Sequence, residues 1–269
     1  MQVSNFARAA VPDAHGQLDI SNEWNQGRGI YGGVPSAAMV HAMQRALDRP
    51  EAVLRTLTVH CCRPLQAGPS RVSVSPIRVG RRVAQYSASV TQGGLVTNQA
   101  TASFASSRTT ADLSWVEVRM PSVPPALDIA PVAIDRRGGP RFAQFFEYRF
   151  VPDVLPMSGS STARLQTWIR PKDCAVMDAL HVVGILDAGA PAVLSRLTKA
   201  RAMASVDFRM QLFGSVPLQG VEPEAHWFLD THARVVGDGY SEQMTWLFAP
   251  DGRPIGTCQQ LIAIFDGAM

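Results

Sequence analysis

The stretch GIYGGVPSAAMVHAMQRAL, from Gly29 to Leu47, decides the fold. Its pattern predicts a helix from Val34 to Leu47 that ends before Pro50. Pro35 falls in the first helical turn, where proline is well tolerated. Apolar residues occupy most of the circumference of this helix, which is typical of a helix enclosed by other elements. We therefore expect a sheet that wraps around it.

Four strand-like stretches follow this helix. In two of them apolar and polar residues alternate, as at Ala84, Tyr86 and Ala88, which is typical of strands with one buried face. The predicted strands are Leu54–Cys62, Arg71–Val79, Val83–Gln92 and Thr97–Ser106. Together they would form the sheet that the helix requires.

The same order of elements recurs in the second half of the chain. A second apolar helix is predicted over Val176–Asp187 and is interrupted near Pro191. Glycine-containing turns separate the strands predicted after it, which are Ala204–Leu212, His226–Val235, Tyr240–Ala249 and Ile255–Phe265. Between the two copies, Met120–Pro140 contains five prolines and Gly138-Gly139, a composition typical of a linker.

This repetition predicts an α+β chain made of two fused halves. Each half would be an antiparallel sheet wrapped around a helix, with boundaries at residues 1–119 and 141–269 and a linker over residues 120–140. Charged residues make up 17% of the 269 residues, against about 25% in an average protein. This low fraction favours burial between subunits, and so a possible homo-oligomer.

No apolar stretch approaches the roughly 18 residues of a membrane span, and the N-terminus lacks the layout of a signal peptide. We therefore expect a cytoplasmic protein with no membrane partner. The cysteines and the six histidines show no spacing typical of disulfides or metal sites, so no metal or other cofactor is predicted. His60 and His181 fall in apolar elements and are interpreted as hydrogen-bonded core residues. All four cysteines are interpreted as buried small hydrophobic residues: Cys61, Cys62, Cys174 and Cys258.

The segment from Ala52 to Ala111 contains no acidic residue. One interpretation is a patch that contacts the phosphates of a nucleotide-bearing ligand, for which the guanidinium group is suited. The other is a solvated outer sheet face in a protein with 23 arginines and two lysines. Nucleic-acid binding is disfavoured because Tyr86 and Phe104 are predicted to face the core. The arginines concerned are Arg55, Arg63, Arg71, Arg78, Arg81, Arg82 and Arg108.

Three polar residues stand out among apolar neighbours. Asp187 follows Val182-Val183-Gly184-Ile185-Leu186, and an ionised carboxylate in such surroundings is costly unless hydrogen bonds or a partner stabilise it. Gln260 is predicted on an apolar strand face, where a buried amide requires partners for its donors and its acceptor. Ser205 is a weaker candidate, because its strand could simply present a solvated face. These three residues are the candidate catalytic residues.

The order of these features resembles the acyl-CoA thioesterase II family of double-hotdog proteins over roughly residues 20 to 266. In the first half the resemblance lies in Gly-Ile-Tyr-Gly-Gly before the helix, in Leu57-Thr58-Val59-His60-Cys61-Cys62-Arg63-Pro64 and in Gly80-Arg81-Arg82 at a hairpin. In the second half it lies in Leu186-Asp187-Ala188, in Ala204-Ser205-Val206-Asp207, and in Asp251-Gly252 followed by Cys258-Gln259-Gln260. The resemblance implies a double hotdog fold with an acyl-CoA site at the seam between the halves.

The resemblance also implies a reaction, the hydrolysis of an acyl-CoA thioester to free acid and CoA, as in fatty acid metabolism. The family positions an attacking water with an aspartate, a threonine or serine, and a glutamine. Carried over to this chain, these are Asp187, Ser205 and Gln260, and counting from the Asp251-Gly252 turn assigns Gln260 rather than the adjacent Gln259. Acyl-CoA is then the expected partner. Further substrate-binding candidates are Gly32, Gly33, Arg81 and Arg82.

Two other functions stay open at this point. A hotdog-fold hydratase or dehydratase would need an Asp-His pairing, but His181 and Asp187 are six residues apart and face differently on a helix. In a non-catalytic acyl-CoA binding module, Asp187 would only stabilise the core. No Gly-x-Ser-x-Gly motif indicates a serine nucleophile.

Overall fold

The computed structural model describes residues 5–108, 110, 113–134, 138–199, 201–214, 216–218, 220–222 and 224–266. The elements of the first half are α1 (Asn5–Ala10), β1 (Gln17–Ile20), β2 (Asn25–Gln26), β3 (Gly29–Ile30), α2 (Gly33–Leu47), β4 (Ala52–Cys61), β5 (Gly68–Val79), β6 (Val83–Gln92) and β7 (Leu95–Ser106). Those of the second half are β8 (Phe146–Phe150), β9 (Arg164–Pro171), α3 (Ala179–Ala188), β10 (Met203–Leu212), β11 (Trp227–His232), β12 (Val236–Gly237), β13 (Tyr240–Phe248) and β14 (Pro254–Ile264). No helix in the described ranges is long and apolar enough to cross a membrane.

Within the described residues, twelve strands form one antiparallel sheet. Its order is β1-β5-β6-β7-β4-β10-β14-β13-β11-β9-β8, with β12 beside β13. The two halves meet where β4 pairs with β10, and in this pairing Asp207 lies opposite His60 and Met210 lies opposite Leu57. Helix α2 packs against β5, β6, β7 and α3, while α3 also packs against β9. The predicted α+β double hotdog is confirmed.

Helix α2 is enclosed, as its apolar circumference predicts. Ten of its fifteen residues are buried, which leaves only a narrow strip in contact with solvent. The helix ends at Leu47, and the next residue, Asp48, has a left-handed φ of 49° that turns the chain out of the helix before Pro50. The helix therefore provides the core of the first half.

Helix α3 begins at Ala179 rather than at the predicted Val176, because Asp178 caps it. The Asp178 carboxylate accepts hydrogen bonds from the backbone N–H groups of Leu180 and His181 at 3.0 and 3.1 Å. The ring Nδ1 of His181 lies 2.7 Å from the same carboxylate oxygen. The prediction that His181 is a hydrogen-bonded core residue is confirmed.

The interpretation of His60 and of two cysteines as core residues is wrong. His60 lies on the outer, exposed face of β4, because successive side chains of a strand point to opposite faces and its neighbour Val59 is buried. Cys62 follows the end of β4 and is exposed, and Cys61 is partly exposed, whereas Cys174 and Cys258 are buried. All four thiols are free.

Three further strands lie towards the edges of the sheet. β1 pairs with β5, and β8 pairs with β9, which pairs with β11. Part of the predicted linker covers the outer face of the second half, where Ile129 is buried and the indole Nε1 of Trp168 donates to the carbonyl of Pro124 at 3.0 Å. Residues 135–137 of that linker lie outside the described residues.

Candidate active site

Asp187 lies near the end of α3, and only 9% of its surface is exposed. The Gln260 carboxamide donates a hydrogen bond from Nε2 to Asp187 Oδ1 at 2.8 Å, and the backbone N–H of Gly33 is directed at the same carboxylate. Burial raises the pKa of Asp187 to about 6, while the bonds from Gln260 and Gly33 oppose this rise. A carboxylate that titrates near neutral pH suits general base catalysis.

Gln260 is oriented by a chain of hydrogen bonds behind it. On β13, Gln243 lies opposite Gln260 and donates from Nε2 to Gln260 Oε1 at 2.8 Å. Gln243 Oε1 in turn accepts from the backbone N–H of Ala192 at 2.8 Å. A backbone N–H can only donate, so Gln243 must accept from Ala192 with its oxygen and donate to Gln260 with its nitrogen. The oxygen of Gln260 is thereby used as an acceptor, and its NH₂ group faces Asp187. The adjacent Gln259 is exposed on the outer face.

Gln243 is a site residue that the sequence analysis missed. It is 2% exposed, and its neighbours on the inner face of β13, Ser241 and Thr245, are polar as well. Met244 and Trp246 lie on the outer face of the same strand. The alternation of apolar and polar residues therefore predicts that the outer face of β13 is the buried one, and nothing in the sequence distinguishes Gln243 from its polar neighbours.

Ser205 shares the inner face with Gln260 because of an irregularity in β10. The pairing of β10 with β14 shifts between Ser205 and Asp207, so that Ser205 lies opposite the buried Ile262. Ile262 is two residues from Gln260 on β14, so Ser205 and Gln260 are diagonal neighbours across the two strands. Residues in this relation are typically about 7–8 Å apart. Within the described structure no hydrogen bond joins Ser205 to Asp187 or to Gln260.

Gly32 and Gly33 bring the start of α2 against Asp187. A Cβ at position 32 would lie 2.9 Å from Asp187 Oδ2, and one at position 33 would overlap the ring of Tyr31. Side chains are therefore excluded here, and the N-terminus of the fifteen-residue helix α2 is directed at the carboxylate. The partial positive charge of this terminus favours an anion or a developing oxyanion.

Arg81 and Arg82 are exposed and are not brought to this cluster. Their hairpin contacts Arg49, which follows the C-terminus of α2 and donates to the carbonyl of Gly80 at 2.8 Å. Asp187 lies at the opposite end of α2. Among the described arginines, Arg28 lies just before β3, near the start of α2, and Gln66 Nε2, from the loop that also holds Arg63, donates to the Arg28 carbonyl at 2.9 Å.

Comparison with known proteins agrees with this architecture. The chain is similar to a hot dog fold protein of unknown function from Alicyclobacillus acidocaldarius (22% identity, TM-score 0.86, covering 99% of this chain and 100% of that chain). It is also similar to a candidate thioesterase II from Thermobifida fusca (18%, 0.83, 98% and 99%) and to an acyl-CoA thioesterase II from Mycobacterium marinum (18%, 0.69, 93% and 92%). At these identities the structures establish the fold alone.

Models of protein families establish the family of the chain in addition to its fold. No curated protein matches the chain. The model of the acyl-CoA thioesterase N-terminal domain matches residues 20–105, and that of the acyl-CoA thioesterase C-terminal domain matches residues 99–264. The second range contains Asp187, Ser205, Gln243 and Gln260, and the two ranges together take in both helix-filled halves. The chain therefore belongs to the acyl-CoA thioesterase family.

Proposed function

We propose that this protein hydrolyses acyl-CoA thioesters to a free acid and CoA, with Asp187 as the general base. The observation that carries the proposal is a buried carboxylate, bonded to Gln260 at 2.8 Å, that faces the start of α2. Membership of the acyl-CoA thioesterase family supports the class of reaction. The residues and their roles rest on the geometry of the site.

Asp187 would accept a proton from water as the water oxygen attacks the thioester carbonyl carbon. Gln260 fixes one carboxylate oxygen, while the hydroxyl of Ser205, on the same inner face, would bind the water as well. Such orientation matters because general base catalysis requires the base within hydrogen-bond reach of the proton that it removes. The proton then passes from Asp187 to the sulfur as the C–S bond breaks, which releases CoA as a thiol.

The carbonyl oxygen becomes negatively charged during the attack, and the start of α2 stabilises this charge. The N–H of Gly33 already donates to the Asp187 carboxylate, so a carbonyl next to Asp187 would lie beside the positive end of the α2 dipole. A preorganised helix N-terminus of this kind stabilises an oxyanion. Arg28 and Arg63 lie in loops at the same end of the helix and would contact phosphates of CoA.

The proposal is tested by measuring free thiol released from acyl-CoAs of increasing chain length. We expect turnover with at least one of them. Tight acyl-CoA binding without thiol release would instead indicate a binding module. Conversion of an enoyl-CoA to a hydroxyacyl-CoA, with the thioester intact, would indicate a hydratase.

The pH dependence of hydrolysis gives a second test. Burial raises the pKa of Asp187 to about 6, and a general base acts only when it is deprotonated. We therefore expect kcat/KM to fall as the pH drops below about 6 and to level off above it, since this parameter reports the pKa values of the free enzyme. A kcat/KM that stays constant from about pH 5 to about pH 7 would contradict the assigned role.

A further inference from the structure

Asn98, on β7, is a buried amide with an unpaired oxygen. Only 4% of the residue is exposed, and its Oδ1 is closed to solvent and has no hydrogen-bond partner among the described residues. Buried polar atoms in folded proteins are nearly always hydrogen-bonded. The hydrogen-bonding group of a ligand would satisfy such an atom.

Asn98 faces the interior of the first half. Along β7, Asn98 and Ala100 are buried, whereas Gln99 between them is exposed. On the neighbouring strand β4, Cys61 lies directly opposite Asn98 and shares its face with the buried Val59. The Asn98 carboxamide therefore lies on the inner wall, beside Cys61.

Cys61 connects Asn98 to the Asp187 site. Burial raises the pKa of the Cys61 thiol to about 12, and the carboxylate of Asp187 adds to this rise. Strand pairing places the thiol beside the site, because His60 lies opposite Asp207 across β4 and β10, and Cys61, the next residue of β4, therefore lies beside the irregularity that holds Ser205. Asn98, Cys61 and the Ser205 segment therefore follow one another across the inner face of β7, β4 and β10.

The part of the substrate that reaches Asn98 is the acyl group. CoA carries phosphates that remain in contact with solvent, whereas Asn98 Oδ1 has no solvent contact. On the other side of Asn98, β6 presents the fully buried Val90 opposite it. An unsubstituted acyl chain would therefore leave the amide unpaired in a largely apolar wall. A hydroxyl can donate to an amide oxygen or accept from an amide N–H, so it pairs with the Asn98 carboxamide in either orientation.

We propose that Asn98 is a specificity-determining residue that hydrogen-bonds a hydroxyl on the acyl group, so that the preferred substrates are hydroxyacyl thioesters. This inference rests on the proposed thioesterase function, because it takes Asp187 as the position of the reacting carbonyl. It adds a contact from the first half to a site in which Asp187, Ser205 and Gln260 come from the second half.

The test compares hydroxyacyl-CoAs with unsubstituted acyl-CoAs of the same chain length, with the hydroxyl at successive carbons. In the wild-type protein we expect at least one hydroxyacyl-CoA to exceed its unsubstituted counterpart by about 10-fold or more in kcat/KM, because the latter leaves Asn98 unpaired. Asn98→Leu keeps a similar side-chain volume and is expected to remove this preference. Gln99→Leu makes a comparable change on the exposed face of the same strand and should keep it.

Two results would overturn the proposal. If no hydroxyacyl-CoA is preferred by the wild-type protein, the proposal is overturned without any variant. If Asn98→Leu lowers kcat/KM equally for every acyl-CoA, Asn98 contacts a part common to all of them, and the proposal is again overturned.

Binding separates this inference from the thioesterase assignment. The dissociation constants of the same pairs of acyl-CoAs are measured by calorimetry on the Asp187→Asn variant, with and without Asn98→Leu. A preference for the hydroxyacyl-CoA that disappears with Asn98→Leu supports the role of Asn98 even if the wild-type protein hydrolyses none of the compounds. Equal affinities within every pair contradict that role even if the wild-type protein is an active thioesterase.

Discussion

Replacement of Asp187 by asparagine is expected to lower kcat for acyl-CoA hydrolysis by at least about 100-fold, the usual scale for loss of a general base. Asparagine has nearly the same shape, and its carbonyl oxygen can still accept the hydrogen bond that Gln260 donates at 2.8 Å. It cannot take a proton from water at any pH near neutral. The loss should therefore appear in kcat, measured as the rate of thiol release at saturating substrate.

The control for this variant is Asp19→Asn, which makes the same change on an exposed residue of β1. Thermal unfolding of both variants should show a folded protein. If Asp187→Asn were folded and as active as the wild type, Asp187 would not be the base. Asp19→Asn should keep full activity.

Replacement of Gln260 by alanine is expected to lower kcat by about 10- to 150-fold, since hydrogen bonds to charged groups contribute about 1.5–3 kcal/mol. The variant removes the donor to Asp187 and leaves Gln243 Nε2 without its acceptor. It should also shift the fall in kcat/KM to a higher pH, because the hydrogen bond from Gln260 lowers the pKa of Asp187. A purely structural role for Gln260 would not shift the profile in this way.

Ser205→Ala is expected to reduce kcat less than Gln260→Ala, because its hydroxyl contacts the water rather than the base. If both residues orient one water, the effects of the double variant should be smaller than the product of the single effects. Strictly multiplicative effects would show that the two residues act independently. Gln259→Ala, on the exposed neighbour of Gln260, provides the matched control and should be near wild type.

The buried helices and strands could be predicted from the sequence because burial on one face gives apolar residues a regular spacing. The β6 strand has the predicted bounds, Val83–Gln92, and α2 begins one residue before the predicted start. The strands β1, β8 and β9 were missed: β1 and β8 are short, and β9 has no regular alternation of apolar and polar residues. His60 was misassigned because an apolar stretch does not show which of its residues face outwards.

The candidate site was predictable only where a polar residue interrupts an apolar pattern. Asp187 and Gln260 do so, and the structure joins them by a hydrogen bond. Gln243 and Asn98 depend on which face of a strand is buried, and the relation of Ser205 to Gln260 depends on an irregularity in the pairing of β10. Arg81 and Arg82 lie far from Asp187 because strand pairing places their hairpin beyond the other end of α2.

The central claim, that Asp187 activates a water which attacks the thioester directly, is tested most directly by a single turnover in oxygen-18-labelled water with enzyme in excess over acyl-CoA. If Asp187 acts as a general base, the free acid formed in this turnover carries one labelled oxygen, and mass spectrometry finds no label in the peptide that contains Asp187. If the carboxylate instead attacked the thioester and water then opened the resulting anhydride at the aspartyl carbon, the first acid released would carry an unlabelled oxygen taken from Asp187, and the label would be found in the protein. That result would contradict the mechanism.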